Sequence, residues 1–246
     1  MEWWREMFET PAWQSIQLAW EEADDGEAVA ANVERALALS DGIRVLDVPC
    51  GTGRIAARLA DRGFEVVGID ATTAFLDVAR GAGLPVIGAD MRTGVVRAGS
   101  FDAAICLWGS FGYFDDEGNA AQARSVAEAL APGGRYLLDT IVADSVLAGF
   151  ESTAEWEVGG VGAHESRVYD ADSRRIETTW TFTRGEERVV RTTHVRLYSV
   201  HELTDLLAGV GFASFQALDD ELEPFVPGAD RLWLVASMPS ATDPRW

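Results

Sequence analysis

The chain has 246 residues, 48% of them hydrophobic, which is enough for one large α/β core with an embellishment and too little for two separate domains. Its formal net charge is −20 and all 20 basic side chains are arginines, which argues against a nucleic acid or an anionic membrane surface as partner, because both are held through basic groups. The acid excess serves solubility and also suits a cationic or amine-bearing ligand.

Glu2 and Glu6 stand where a secretory signal would be basic, and no apolar run of membrane-spanning length follows, so a cytoplasmic protein is expected. Residues 1–42 read as helices that form a lid. Trp3, Trp4, Met7 and Phe8 recur at helical spacing, Pro11 interrupts, and Trp13, Ile16, Leu18 and Trp20 resume an apolar face. The run Glu21, Glu22, Asp24, Asp25 and Glu27 reads as a solvated turn and helix start.

From residue 43 short apolar runs alternate with helical segments, the mark of a parallel sheet with crossover helices. Strands are predicted over residues 43–48, 65–69, 86–88, 101–107 and 136–140, with helices over 54–62, 73–80 and 118–130 between them. Pro132, Gly133 and Gly134 read as the terminator of the last of these helices. Between 150 and 199 the period changes to alternation, which predicts an antiparallel β insert. Ser199 and Glu202 have capping-box spacing and open a helix that closes near Gly211, and strands over 213–218 and 232–236 bring the main sheet to seven. The core is thus expected over 43–149 and 200–240, with the insert at 150–199 and a loose tail from Pro239. Cys50 and Cys106 are too few for a disulfide scaffold and lack metal-ligand companions, so both read as small buried hydrophobes and no metal is expected.

The richest stretch is Asp47-Val48-Pro49-Cys50-Gly51-Thr52-Gly53-Arg54, a strand end running through a tight glycine turn into a helix. Glycines there let the backbone bend and let a ligand approach with no Cβ in the way. Residues 51–56 also satisfy a dinucleotide fingerprint, with Asp70 near the place of a ribose-binding acid, so an NAD(P)-dependent oxidoreductase is one alternative. Against it, Asp47 would repel a pyrophosphate but not a sulfonium or an ammonium. Asp90 and Met91 close the third strand, offering a carboxylate to an adenine amino group and an apolar side chain to its face. Together with residues 130–134 before strand five and Gly211-Phe212 near the end, these motifs resemble the class I S-adenosylmethionine-dependent methyltransferases, over residues 43–237. Within that family the chain is most similar to small-molecule N- and O-methyltransferases with a β insert before the last helix, including those acting on amino sugars.

The resemblance implies a Rossmann-like, doubly wound α/β fold and S-adenosylmethionine as cofactor, leaving S-adenosylhomocysteine. Asp47, Pro49, Cys50, Gly51, Thr52 and Gly53 would surround the methionine half, and Asp70 with Ala71 the ribose. Asp90, Met91 and Arg92 would frame the adenine, while Leu107 and Trp108 lie beside methionine and ribose. The acceptor is expected at the carboxyl ends of the strands, near Phe111 and Asp139, under Trp4, Phe8 and Trp13 of the lid. Transfer would be an in-line displacement driven mainly by positioning and desolvation. His194 is the first candidate for a base, with Arg196 and Tyr198 alternating onto the same face as substrate contacts, and Tyr113 is the second. His201 reads as a structural residue of the capping turn. The expected partner is a small molecule and the expected assembly a monomer or homodimer. A protein that keeps the cofactor pocket without methyl transfer is the remaining alternative.

Overall fold

The computed structural model describes residues 2–24 and 26–241; Asp25 of the acidic run, Met1, and the tail beyond 241 lie outside the described residues. Strands β1 (Arg44–Asp47), β2 (Glu65–Asp70), β3 (Val86–Gly88), β4 (Phe101–Cys106), β5 (Leu130–Thr140), β10 (Ser214–Leu218) and β11 (Leu232–Ser237) form a seven-stranded sheet in the order β10-β11-β5-β4-β1-β2-β3. All pairings among β1 to β5 are parallel, and only β11 runs against its neighbours. The order reverses beside β1, so the carboxyl ends of β1 and β4 diverge into a crevice.

Strand alternation divides the core in two. Val45, Ile105, Leu137 and Val235 face helices α3 (Glu27–Ala36) and α4 (Arg54–Asp61), packing with Val33, Ile55 and Leu59. Leu46, Ala104, Cys106 and Leu138 face α6 (Asp116–Ala129) and α8 (Val200–Gly209), packing with Val126, Leu203 and Leu207. Burial on both faces explains why these strands read as unbroken apolar runs. Helix α5 (Thr73–Gly81) covers the β2 and β3 side through Phe75, Leu76 and Ala79.

The terminator expected at Pro132-Gly133-Gly134 lies inside β5 instead. The strand begins at Leu130, opposite Phe101, and resumes at Arg135 opposite Ala103, so the intervening residues bulge out of register. Gly133 donates to the Pro239 carbonyl at 2.9 Å, which supplies the hydrogen bonding that the sequence pattern lacks. Helix α7 (Ala143–Ala148) was not expected, because its six residues bury no apolar face.

Strands β6 (Thr153–Val158), β7 (Val161–Asp170), β8 (Arg175–Arg184) and β9 (Glu187–Arg196) form a separate antiparallel sheet. Helices α1 (Trp3–Phe8) and α2 (Pro11–Ala23) lie on it through Met7, Ile16, Val161, Ala163 and Phe182. Leu18 and Trp20 remain exposed, so the apolar face of α2 is narrower than its sequence suggests.

The second sheet is latched to the core at β9. Arg196 donates from its backbone to the Gly112 carbonyl at 2.8 Å, and at Gly112 (φ 98°) a Cβ would stand 2.4 Å from the Arg196 carbonyl oxygen. The Arg196 guanidinium reaches Glu202 at 2.8 Å, and Glu202 is also the reciprocal partner in the Ser199 capping box. Burial opposes ionisation of Glu202, but the Ser199 amide and Arg196 outweigh it and hold the carboxyl at about 2. A carboxyl depressed in the folded state stabilises above its ordinary value of 4.5, and that stabilisation is lost as pH falls toward about 2. Glu202→Ala is therefore expected to lower urea-unfolding stability by about 2 kcal/mol at neutral pH and by much less in acid. An unchanged unfolding midpoint would show that the latch contributes nothing.

Candidate active site

The loop after β1 is shaped by two left-handed glycines with different tasks. At Gly53 (φ 80°) a Cβ would lie 2.4 Å from Leu84 Cδ1 and 3.2 Å from the Ala79 Cβ, so the residue is bare to let α4 pack. At Gly51 (φ 54°) a Cβ would meet nothing within 4 Å, because that side of the backbone faces an open cleft. The cleft encloses about 1000 Å³, its mouth included. It gathers Asp47, Pro49, Cys50, Gly51, Thr52, Asp70, Ala71, Asp90, Met91, Leu107 and Trp108 from four strand ends, with Gly53 just behind them.

Its acids differ in their partners. Asp47 is 3% exposed and accepts no hydrogen bond from the described residues; burial and the nearby Asp70 charge push its carboxyl well above the usual range. Asp70 accepts from the amides of Thr72 at 2.7 Å and Gly51 at 2.9 Å, and burial still raises it. Burial would raise Asp90 too, but hydrogen bonds from Arg92 at 2.6 to 3.2 Å overcome this and lower it. Arg92 itself does not border the cleft. Its guanidinium lies 4.2 Å from the Phe114 ring centroid and bonds Glu2, so it fixes Asp90 where it was expected to frame a ligand.

Trp4, Phe8 and Trp13 close the cleft from above, and the indole nitrogens of Trp4 and Trp13 are buried with no partner among the described residues. Gln17 and Glu21 of α2 also border it, and Thr52 Oγ1 donates to Glu21 at 2.7 Å. The sequence assigned Glu21 to a solvated turn. No local signal marks it, because its partner lies 31 residues away.

A second chamber of about 1590 Å³, mouth included, opens between α1, α2, α7 and the inner face of β7, β8 and β9. Phe8, Trp13, Trp108 and Tyr113 border both spaces and form their shared wall. Trp108 holds a left-handed backbone (φ 62°), and its amide donates to Asp139 at 2.8 Å. Asp139 also accepts from Arg231 at 2.7 Å and borders neither space, so it positions Trp108 and Arg231 and has no open face for a substrate.

Other expected contacts are displaced as well. Tyr198 is buried behind Phe111, its hydroxyl bonded by Asn119 at 2.9 Å, and does not reach the chamber, while Phe111 does. Arg196 borders the chamber but is held by Glu202 and Asp116. His194 lies on the outer face of β9, 3.3 Å from Glu177, because Thr193 and Val195 take the inner positions. It borders neither space, which removes it as a base from this geometry. Burial raises the Tyr113 hydroxyl, against a hydrogen bond with Ser110, so it stays protonated at neutral pH and serves to orient by hydrogen bonding, not as a phenolate base. Cys106 is likewise pushed up to about 12 by burial, and both cysteines are free.

A methyltransferase-domain family profile matches residues 20–217. The chain belongs to that family. This methyltransferase is 29% identical over 185 residues to a putative methyltransferase, YqeM, of Bacillus subtilis, covering 69% of this chain and 73% of the relative. Its fold matches an S-adenosylmethionine-dependent methyltransferase from Clostridium acetobutylicum with a TM-score of 0.72 at 17% identity, over 88% and 91% of the two chains. It also matches the sugar N-methyltransferase KedS8 from Streptoalloteichus with a TM-score of 0.71 at 22% identity, over 91% and 92%. The methyltransferase depends on S-adenosylmethionine, and the dinucleotide reading of the glycine turn falls.

The cleft fits that donor. An unpartnered buried carboxylate beside a second one favours a cation, and a pyrophosphate placed at Gly51 would meet Asp47. Asp70→Ala removes a carboxylate able to accept from a diol, and calorimetric titration is expected to show roughly a hundredfold weaker S-adenosylhomocysteine binding. Affinity equal to the parent would detach Asp70 from the nucleoside.

Proposed function

We propose that this methyltransferase moves a methyl group from S-adenosylmethionine to a nitrogen or oxygen nucleophile of a small molecule held in the second chamber. The observation that carries this reading is the aromatic wall of Phe8, Trp13, Trp108 and Tyr113, which is common to the acid-lined cleft and the chamber. When bound, S-adenosylmethionine supplies an electrophilic methyl on a positively charged sulfur.

The chain's own residues then have definite tasks. Asp70 accepts from the ribose hydroxyls, Asp90 and Met91 meet the adenine, and Asp47 with the Gly51 backbone serves the methionine half. The faces of the shared aromatic residues attract positive charge and keep water from the reacting centre. Helices α1 and α2 act as the lid, while α3, expected as part of it, packs on the main sheet instead, and 150–199 acts as the cap on the acceptor side. No histidine borders the chamber, and its buried acid Glu165 is already occupied by Trp156 at 2.6 Å and Arg167 at 2.6 Å. Glu151 and Asp230 border the chamber outside the shared wall, and the wall itself carries no carboxylate or imidazole, so positioning and desolvation carry the catalysis.

The chamber also suggests what an acceptor presents. Among the described residues Arg231 Nη2 and Ser145 Oγ are buried without partners, and both border the chamber beside Thr140. These are donors among aromatic rings, which suits an acceptor with a ring face and an oxygen-bearing substituent. The Streptoalloteichus neighbour is a sugar N-methyltransferase, which supports a nitrogen acceptor on a small polar molecule.

The test is to incubate the enzyme and S-adenosylmethionine with a cell extract split by size. Methylated small molecules and S-adenosylhomocysteine are expected in the low-mass fraction; methylation confined to macromolecules would refute the reading. Against the acceptor so found, Arg231→Leu is expected to raise KM roughly tenfold with S-adenosylhomocysteine affinity unchanged. His194→Ala is expected to leave kcat as it is.

A further inference from the structure

The end of the cleft over the glycine turn is built from two parts of the chain that the fold brings together. Gln17 and Glu21 come from α2, and Thr52 and Arg54 flank Gly53 on the core. Both Glu21 oxygens lie 2.7 Å from Thr52 Oγ1, and Gln17 donates to Glu21 at 2.8 Å. Next to them Arg54 donates to the Asp24 carbonyl at 2.6 Å, and Gly26 packs on Ile55, where a Cβ would stand 2.6 Å from Cδ1. The carboxyl end of α2 is therefore stapled onto the same loop that a donor must touch.

This end offers a different chemistry from the opposite one. Asp70 and Asp90, at the ends of β2 and β3, suit hydroxyls and a nucleobase amine. Over β1 the set is mixed: the carboxylates of Asp47 and Glu21 accept, while the Thr52 hydroxyl, the Gln17 amide and the Arg54 guanidinium donate. A mixed set of that kind matches a zwitterion, which carries an ammonium and a carboxylate on one carbon. Asp47 is 3% exposed and unpartnered, which independently marks this end as awaiting a cation.

We infer that Glu21 is a donor-reading residue on the lid: it accepts from the ammonium of the amino-acid half of S-adenosylmethionine, so that α2 closes fully only over a donor carrying that half. The inference rests on the acid-lined cleft being the donor site. It assigns the nucleoside half to the core and the amino-acid half to the joint between core and lid. A nucleoside thioether without the amino acid would satisfy Asp70 and Asp90 and leave α2 with only the contacts it makes in the free enzyme.

The experiment compares S-adenosylhomocysteine with 5′-methylthioadenosine, which shares the nucleoside and the thioether but has no amino acid. Calorimetry gives both affinities for the parent and for Glu21→Gln, and hydrogen exchange by mass spectrometry follows the amides of residues 11–23. S-adenosylhomocysteine is expected to slow exchange in α2 of the parent, and 5′-methylthioadenosine to leave it unchanged. Glu21→Gln should bind S-adenosylhomocysteine roughly tenfold more weakly, lose the slowing, and hold 5′-methylthioadenosine as the parent does. That retained affinity also shows that the variant is folded. Equal losses for both ligands, no loss for either, or equal slowing of α2 by both would overturn the inference. A parent that binds neither ligand would instead refute the donor site itself.

Discussion

The structure depends on a buried carboxyl that the protein leaves without a partner. Asp47 sits at the end of β1 with 3% exposure, no hydrogen-bond donor among the described residues, and a second buried acid, Asp70, close enough to raise its carboxyl further. Burying a carboxylate without a partner costs several kcal/mol, a cost that packing alone does not offset. It is tolerable if the partner arrives with the ligand, as a sulfonium or an ammonium. The glycine turn makes room for that ligand, the strand order makes the crevice, and the helices before β1 cover it.

Covering is what the non-core parts of the chain have in common. The second sheet has little contact with the main sheet; it is held by the Arg196 and Glu202 latch and by the close approach at Gly112. Its inner face and the aromatic undersides of α1 and α2 enclose a chamber that meets the acid-lined cleft only at Phe8, Trp13, Trp108 and Tyr113. Trp108 is fixed there by Asp139, which pairs with Arg231 through its other oxygen. Asp139, which borders neither space, thus sets the geometry of the wall between them. The aromatic undersides of the lid are turned inward to the site, and no described helix is long and apolar enough to cross a membrane.

Much of this was legible because the relevant residues are local. Asp47, Asp70 and Asp90 each close a short apolar run, and the turn at Gly51 and Gly53 needs only its own neighbours to be recognised. The capping box at Ser199 and Glu202 is equally local. What escaped depends on contacts distant in sequence or on the exact end of a strand. Glu21 belongs to an acidic run, and only the folding of α2 over the loop turns it toward Thr52. His194, Arg196 and Tyr198 alternate on paper, but β9 stops at Arg196, and Tyr198 belongs to the turn into α8. The inner face of β9 is taken by Thr193 and Val195, which leaves His194 outside. The resemblance implies Arg92 at the adenine, and the end of strand five places Asp139 near the acceptor. Each instead spends its charge on another side chain, Asp90 and Arg231 respectively, and pairing of that kind leaves no trace in spacing.

The claim that Asp47 is a buried acid awaiting a cation is tested most directly by counting the protons displaced when the donor binds. Titrating S-adenosylmethionine calorimetrically in buffers of different ionisation enthalpy, across the mildly acidic to neutral range, reads that number. A bound cation favours the charged form of a carboxyl whose pKa burial has raised. Binding is therefore predicted to release a proton wherever the free carboxyl is still protonated, to weaken as pH falls there, and to show less of both features in Asp47→Asn, Asp70 keeping its own share. Proton-neutral binding throughout, with Asp47→Asn as tight as the parent at every pH, would contradict the account.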